Sequence, residues 1–109
     1  MKIVYLETAA PGLRWMRRYY QEQAQLNSDR VFANFDAAKD RLREEPFAGH
    51  PFDDFDRVRE LSISRSPFTI LYTHQDDTIY IIDIRDTRGL RSADALADFT
   101  QRLRQKYGL

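Results

Sequence analysis

"SPFTILYTHQDDTIYIIDIRDTRG", residues 66–89, holds two runs rich in β-branched and aromatic residues, joined by an acidic turn and closed by arginines and aspartates. The runs FTILYTH (68–74) and TIYIIDIRD (78–86) are separated only by Gln75-Asp76-Asp77, so they are expected to form an antiparallel hairpin. Upstream, VRELSIS (58–64) is a third strand candidate, linked by Arg65-Ser66-Pro67, which extends the hairpin to a meander. Strand periodicity puts Phe68, Ile70 and Tyr72 on one face of the middle run and Thr69, Leu71 and Thr73 on the other. One side is apolar and the other mixed, and helices are expected to cover the apolar side.

Those helices come earlier in the chain. KIVYL (2–6) reads as a short strand that Ala-Pro-Gly (10–12) breaks. From Leu13, apolar residues recur at Met16, Tyr20 and Ala24 in one helical stripe, with Arg14, Arg17, Arg18 and Glu22 largely off it. Asn-Ser-Asp (27–29) supplies capping side chains for a second helix with its stripe at Val31, Phe35, Ala38 and Leu42, ending before Pro46. So short a link implies an antiparallel helical hairpin. EEPFAGHPFDDFD (44–56) has two prolines and a glycine and reads as a structured loop that delivers the chain to the sheet. SADALADFTQRLRQKY (92–107) has Ser92 as N-cap and a stripe at Leu96, Phe99, Leu103 and Tyr107, a C-terminal helix with basic residues in its last turns. The expected fold is α+β, an antiparallel sheet with an N-terminal helical hairpin packed on it and a C-terminal helix, in the order βααβββα. With no repeat, low-complexity tract or shift in composition, residues 1–109 are expected to form a single domain.

Composition limits the chemistry. With no cysteine and only His50 and His74, far apart in sequence, neither a disulfide framework nor a structural zinc site is expected. No cofactor and no membrane span are expected either, and a cytoplasmic location is the default reading. Seventeen basic and seventeen acidic side chains give a formal net charge of zero, against a protein that simply coats nucleic acid. Local fields remain: RWMRR (14–18) and RLRQK (102–106) are basic, and FDDFD (52–56) is acidic.

The order of elements and several motifs resemble the RelE/ParE toxin superfamily of bacterial type II toxin–antitoxin modules over nearly the whole chain. The residues that carry the resemblance are EEPFAGHPF before the sheet, RELSISRSPFTILY, and IYIIDIRDTRG with its closing arginine. The resemblance implies a small toxin that arrests growth, as in plasmid stabilization modules, and that a cognate antitoxin masks with an extended or helical segment laid into grooves around helices and sheet. Its members divide by target. The RelE-like branch cleaves mRNA on the ribosome and needs a base, an acid and a cation in one small space. At the positions where such members carry arginine and histidine, this chain has Thr69 and Arg85, and an arginine is a poor proton shuttle. The ParE-like branch inhibits DNA gyrase and requires a binding surface, which this sequence fits better. A ribosome-dependent endonuclease is the alternative, and a non-toxic protein-binding domain of the same fold is a third.

Candidate residues follow from these branches. For a nuclease they are Arg65, Arg85, Arg88 and Tyr107; for partner or target binding they are Arg88, Arg85, Trp15, Arg14 and Arg18. Each has a plainer structural reading. Arg88 would be a surface ion pair with Asp83 or Asp86, and Arg85 would pair with Asp83, two residues away on the same strand face. Tyr72 is expected as a core ring with its hydroxyl at the rim, His74 as a solvated turn residue and His50 as loop support. Trp15 is either a flank of the core or an exposed anchor. The FDDFD acids are expected to be solvated.

Overall fold

The computed structural model describes residues 1–22, 28–53, 55–86 and 92–109. Its elements are β1 (Lys2–Tyr5), α1 (Ala9–Glu22), α2 (Ser28–Glu44), β2 (His50–Pro51), β3 (Arg59–Ser62), β4 (Phe68–Gln75), β5 (Thr78–Asp86) and α3 (Ser92–Asp98). From α3 the chain continues through a π-helical turn (Phe99–Leu103) into α4 (Arg104–Tyr107). The sequence-predicted order stands, with two refinements. The C-terminal helix contains the π turn, and the loop before β3 contributes the two-residue strand β2.

One sheet of five strands runs β1-β5-β4-β3-β2. The meander β3-β4-β5 is antiparallel as expected, whereas β1 pairs with β5 in parallel, Lys2 opposite Thr78 and Tyr5 opposite Ile81. The sheet is therefore mixed rather than wholly antiparallel. The helical hairpin that follows β1 carries the chain to the far side of the sheet, so β1 is free to lie parallel beside the last strand.

A bulge sets the character of β5. Leu71 lies opposite Asp83 and Tyr72 opposite Ile81, which leaves Ile82 as an extra residue on β5. Strict alternation fails there, and the apolar run is divided between two cores. Ile79, Ile81 and Ile84 pack with Phe68, Ile70 and Tyr72 against Met16 and Tyr20 of α1 and Val31, Phe35 and Leu42 of α2. Ile82 joins Leu71, Leu6, Phe52 and Val58 under Leu96, Phe99 and Leu103 of the C-terminal helix. The mixed face of β4 is thus buried too, and its Thr73 hydroxyl donates to the Arg57 carbonyl at 2.8 Å.

Two close approaches fix what lies on this sheet. α1 crosses β5 at Gly12, where a Cβ would stand 2.3 Å from the Ile84 carbonyl oxygen and 2.5 Å from the Asp83 carboxylate. Only glycine permits that approach. Pro11 sits in the first turn of the same helix, where its missing N–H costs nothing. The loop before β3 docks on Tyr72, whose buried hydroxyl donates to the Pro46 carbonyl at 2.7 Å and accepts from the Gly49 N–H at 3.0 Å. Burial raises the Tyr72 phenol pKa. The ring is core and the hydroxyl holds the rim, as its spacing implied. Among the described residues no helix is long and apolar enough to cross a membrane.

Candidate functional site

The candidate side chains fall at two ends of the sheet. Where β5 ends, Phe68 lies opposite Asp86 and Thr69 opposite Arg85, so the turn holding Arg65, the last residues of β5 and α1 come together. Arg65 is exposed at φ 58°, in the left-handed region, and Ser66 secures the turn by donating to the Ile63 carbonyl at 3.0 Å. Trp15 is half-buried against the first core and its indole N–H donates to the Asp86 carboxylate at 3.2 Å. The ring is therefore a flank of the core with a polar tether, not a free anchor. Arg14, Arg17 and Arg18 are exposed on the outer side of the same helix.

Arg85 is held from two sides. Its guanidinium lies 5.1 Å over the Phe52 ring and 3.5 Å from the Glu60 carboxylate on β3. The expected pair with Asp83 does not form. The bulge turns the Asp83 carboxylate back to accept from the Ile84 backbone N–H at 2.9 Å, beside Gly12 of α1, so the side chain is taken up on the α1 side of the strand. Arg88 lies outside the described residues.

Tyr107 stands elsewhere. Its ring is 6.1 Å from Tyr80 near the start of β5, and its hydroxyl donates to Glu7, which follows β1. From Tyr80 to Arg85 is on the order of 15 Å of strand. Laterally the two groups diverge as well, since Tyr107 leans toward β1 and Arg85 toward β3 across the order β1-β5-β4-β3. The nuclease candidates Arg85 and Tyr107 are thus not brought into one space.

What gathers around Tyr107 is a charged latch that sequence reasoning missed. Glu7 receives Tyr107, Lys106 at 3.3 Å and Arg102 at 3.4 Å, and Arg102 also grips Asp98 through two contacts of 2.9 Å. The Tyr107 hydroxyl bond holds the Glu7 carboxyl below the usual carboxylate range, with Lys106 and Arg102 adding to it, and the same bond raises the Tyr107 phenol. Arg102 likewise lowers Asp98, and Asp98 raises Arg102. The Asp98–Arg102 spacing of one helical turn was legible in the sequence; nothing local marks Glu7, whose partners lie at the other end of the chain. Beside the latch a cleft of ≈ 490 Å³ is lined by Glu7, Thr8, Gly12, Asp83, Asp94 and Asp98. Among the described residues no group of three or more His, Asp or Glu is placed to hold a metal ion.

The remaining sequence candidates are structural or solvated. His50 is exposed in β2 opposite Glu60, and His74 contacts the Asp76 carbonyl at 3.0 Å and meets the exposed Phe47 ring edge-on. In FDDFD the aromatic residues belong to the second core, with Phe52 stacked on Phe55 at 6.0 Å, and Asp53 and Asp56 are exposed.

A family model described as ParE toxin of type II toxin–antitoxin system, parDE, matches residues 3–91. Among solved structures, a chain of the chromosomal ParDE TA system from P. aeruginosa is similar with a TM-score of 0.62 at 20% identity, covering 79% of this chain and 95% of that one. At that identity the likeness speaks for the fold. No curated protein sequence matches.

Proposed function

The chain belongs to the ParE toxin family of type II toxin–antitoxin systems, and from that premise we propose that it acts in the cytoplasm as a growth-arresting toxin that inhibits DNA gyrase by binding, without cleaving RNA. A cognate antitoxin is the partner such membership implies, and neutralisation by it is part of the proposal. The observation that carries the binding reading is the separation of Arg85 from Tyr107 on opposite sides of β5. Ribonucleolytic transfer needs its cation and its proton-transfer groups within hydrogen-bond reach of one phosphodiester. Here the two are engaged with different partners, Glu60 and Glu7. A binding inhibitor requires no such convergence; it needs a surface with fixed charges, and the placement of Arg65 and Arg85 at the end of β5 supports that reading.

The test runs two assays on one preparation. Purified toxin is expected to block supercoiling by gyrase, and the cognate antitoxin is expected to restore it. Primer extension on a translated message is expected to show no toxin-dependent cuts. Ribosome-dependent cleavage with supercoiling untouched would overturn the proposal.

A further inference from the structure

The helices differ in what their charges do. In α2, Lys39 pairs with Asp36 at 3.1 Å and Arg43 with Asp40. In the C-terminal helix Arg102 pairs with Asp98 and Glu7, and Lys106 with Glu7. On α1, Arg14, Arg17 and Arg18 are all exposed, and none has an ion-pair or hydrogen-bond partner among the described residues. Glu22 stands one turn beyond Arg18, at a spacing that normally pairs, and no such pair forms.

Their placement is narrow. With Gly12, Met16 and Tyr20 buried against the sheet, the helical advance per residue puts the three guanidinium stems in an arc of about 100° on the opposite side. Half-buried Trp15 and Tyr19 form one border of that arc and Leu13 the other. Like charges three and four residues apart work against the helix that carries them. In a chain of zero net charge, overall balance does not impose them. A partner of opposite sign relieves the repulsion.

We propose that the arginines of α1 form the docking surface for an acidic segment of the cognate antitoxin, an inference that rests on the toxin reading above. A planar guanidinium donates two parallel hydrogen bonds to a carboxylate, and the aromatic border offers apolar contact to the rest of such a segment. A polynucleotide is the poorer fit. It needs a continuous basic track, and although Arg65 is exposed at the end of β5, Arg85, Arg57 and Arg102 are each paired with a carboxylate and Arg59 is held by the Gly49 carbonyl and the Phe47 ring. The segment of the antitoxin that contacts the toxin is accordingly expected to carry an excess of Asp and Glu.

The experiment compares the full-length wild type with R14Q/R17Q/R18Q, whose exposed substitutions keep good helix formers, for association with the purified antitoxin at low and high ionic strength. The wild-type association rate is expected to fall with salt. The variant is expected to associate about tenfold more slowly at low ionic strength and to lose most of the salt dependence, with a thermal melt no lower than that of the wild type. R14E/R17E/R18E should bind still more weakly and recover when acidic residues of the antitoxin segment are changed to lysine. Equal rates and equal salt dependence for wild type and variant would overturn this inference and leave the toxin reading standing. Failure of the wild type to bind the antitoxin at all would overturn both. A third result, retention of random-sequence duplex DNA or single-stranded RNA by the wild type alone with antitoxin binding unchanged, would reassign the surface to nucleic acid and overturn the inference.

Discussion

The indole N–H of Trp15 donates to the carboxylate of Asp86 at 3.2 Å, joining the middle of α1 to the last residue of β5. Because α1 also passes over β5 at Gly12, the helix is fixed to that strand at two points one turn apart. The edge-on contact of Tyr19 with Phe68, 5.7 Å between centroids, continues the attachment onto β4. The exposed arginines between these contacts therefore sit on a helix that is held rigidly.

Removing the tether isolates its worth. Trp15→Phe keeps most of the ring and loses the N–H, and a half-buried hydrogen bond to a carboxylate is expected to contribute about 1–2 kcal/mol. For a domain of this size that lowers the melting temperature by several degrees, on the order of 4–8 °C per kcal/mol. An unchanged melt would show that the Asp86 carboxylate is satisfied equally well without the indole.

Gly12→Ala tests the second point of attachment. The new Cβ meets the Ile84 carbonyl oxygen at 2.3 Å and the Asp83 carboxylate at 2.5 Å; the carboxylate can turn aside, but the backbone of β5 cannot. Overpacking of this kind typically costs about 1–3 kcal/mol, and opposition by backbone puts this site at the upper end. The urea midpoint should fall accordingly, and the Trp15 fluorescence should shift as α1 lifts from the sheet.

The latch around Glu7 predicts a pH dependence with a definite sign. The Glu7 and Asp98 carboxyls titrate lower in the folded protein than in the unfolded chain. Their contribution is therefore complete above the ordinary carboxylate range, near about 4, and is lost as pH falls through the folded values. Tyr107 is raised, so its share is complete below about 10 and is lost as pH rises through its folded value. The protection of amides in the C-terminal helix, taken relative to their intrinsic exchange rate at each pH, should be greatest near neutral pH. Glu7→Gln should flatten the acid limb selectively, while the core of β4 and β5 exchanges as before.

How much of this was legible in the sequence differs between backbone and site. The run 78–86 coincides with β5 as read, since β-branched residues bounded by turn signals describe a buried strand locally. Alternation could not reveal the bulge at Ile82, because two neighbouring isoleucines and an aspartate fit either face equally. That bulge is what turns Asp83 toward α1 and leaves Arg85 to Glu60, so an error of one residue in the pattern became an error of partner. The parallel pairing of β1 was hidden for a related reason: four residues carry no signal of direction, which is set by where the helical hairpin returns the chain. Tyr72 was legible because its ring and hydroxyl make separate local demands.

Arg85 is where structural and functional roles overlap most directly, and a pair of substitutions separates them. Its guanidinium is one of the charges that close the hairpin, partly exposed while resting on Phe52 and Glu60. An ion pair this exposed is worth no more than about 1 kcal/mol, so Arg85→Ala should leave a folded protein with a melt only slightly lowered. If the end of β5 meets gyrase as proposed, that folded variant should lose growth arrest and supercoiling inhibition together. Glu60→Ala removes the same ion pair and keeps the guanidinium over Phe52, so it should remain toxic. Arg85→Lys retains the charge without the planar stack and is expected to fall between them. Full toxicity in Arg85→Ala, or equal loss in Glu60→Ala, would assign Arg85 to the scaffold and move the target surface away from the end of β5.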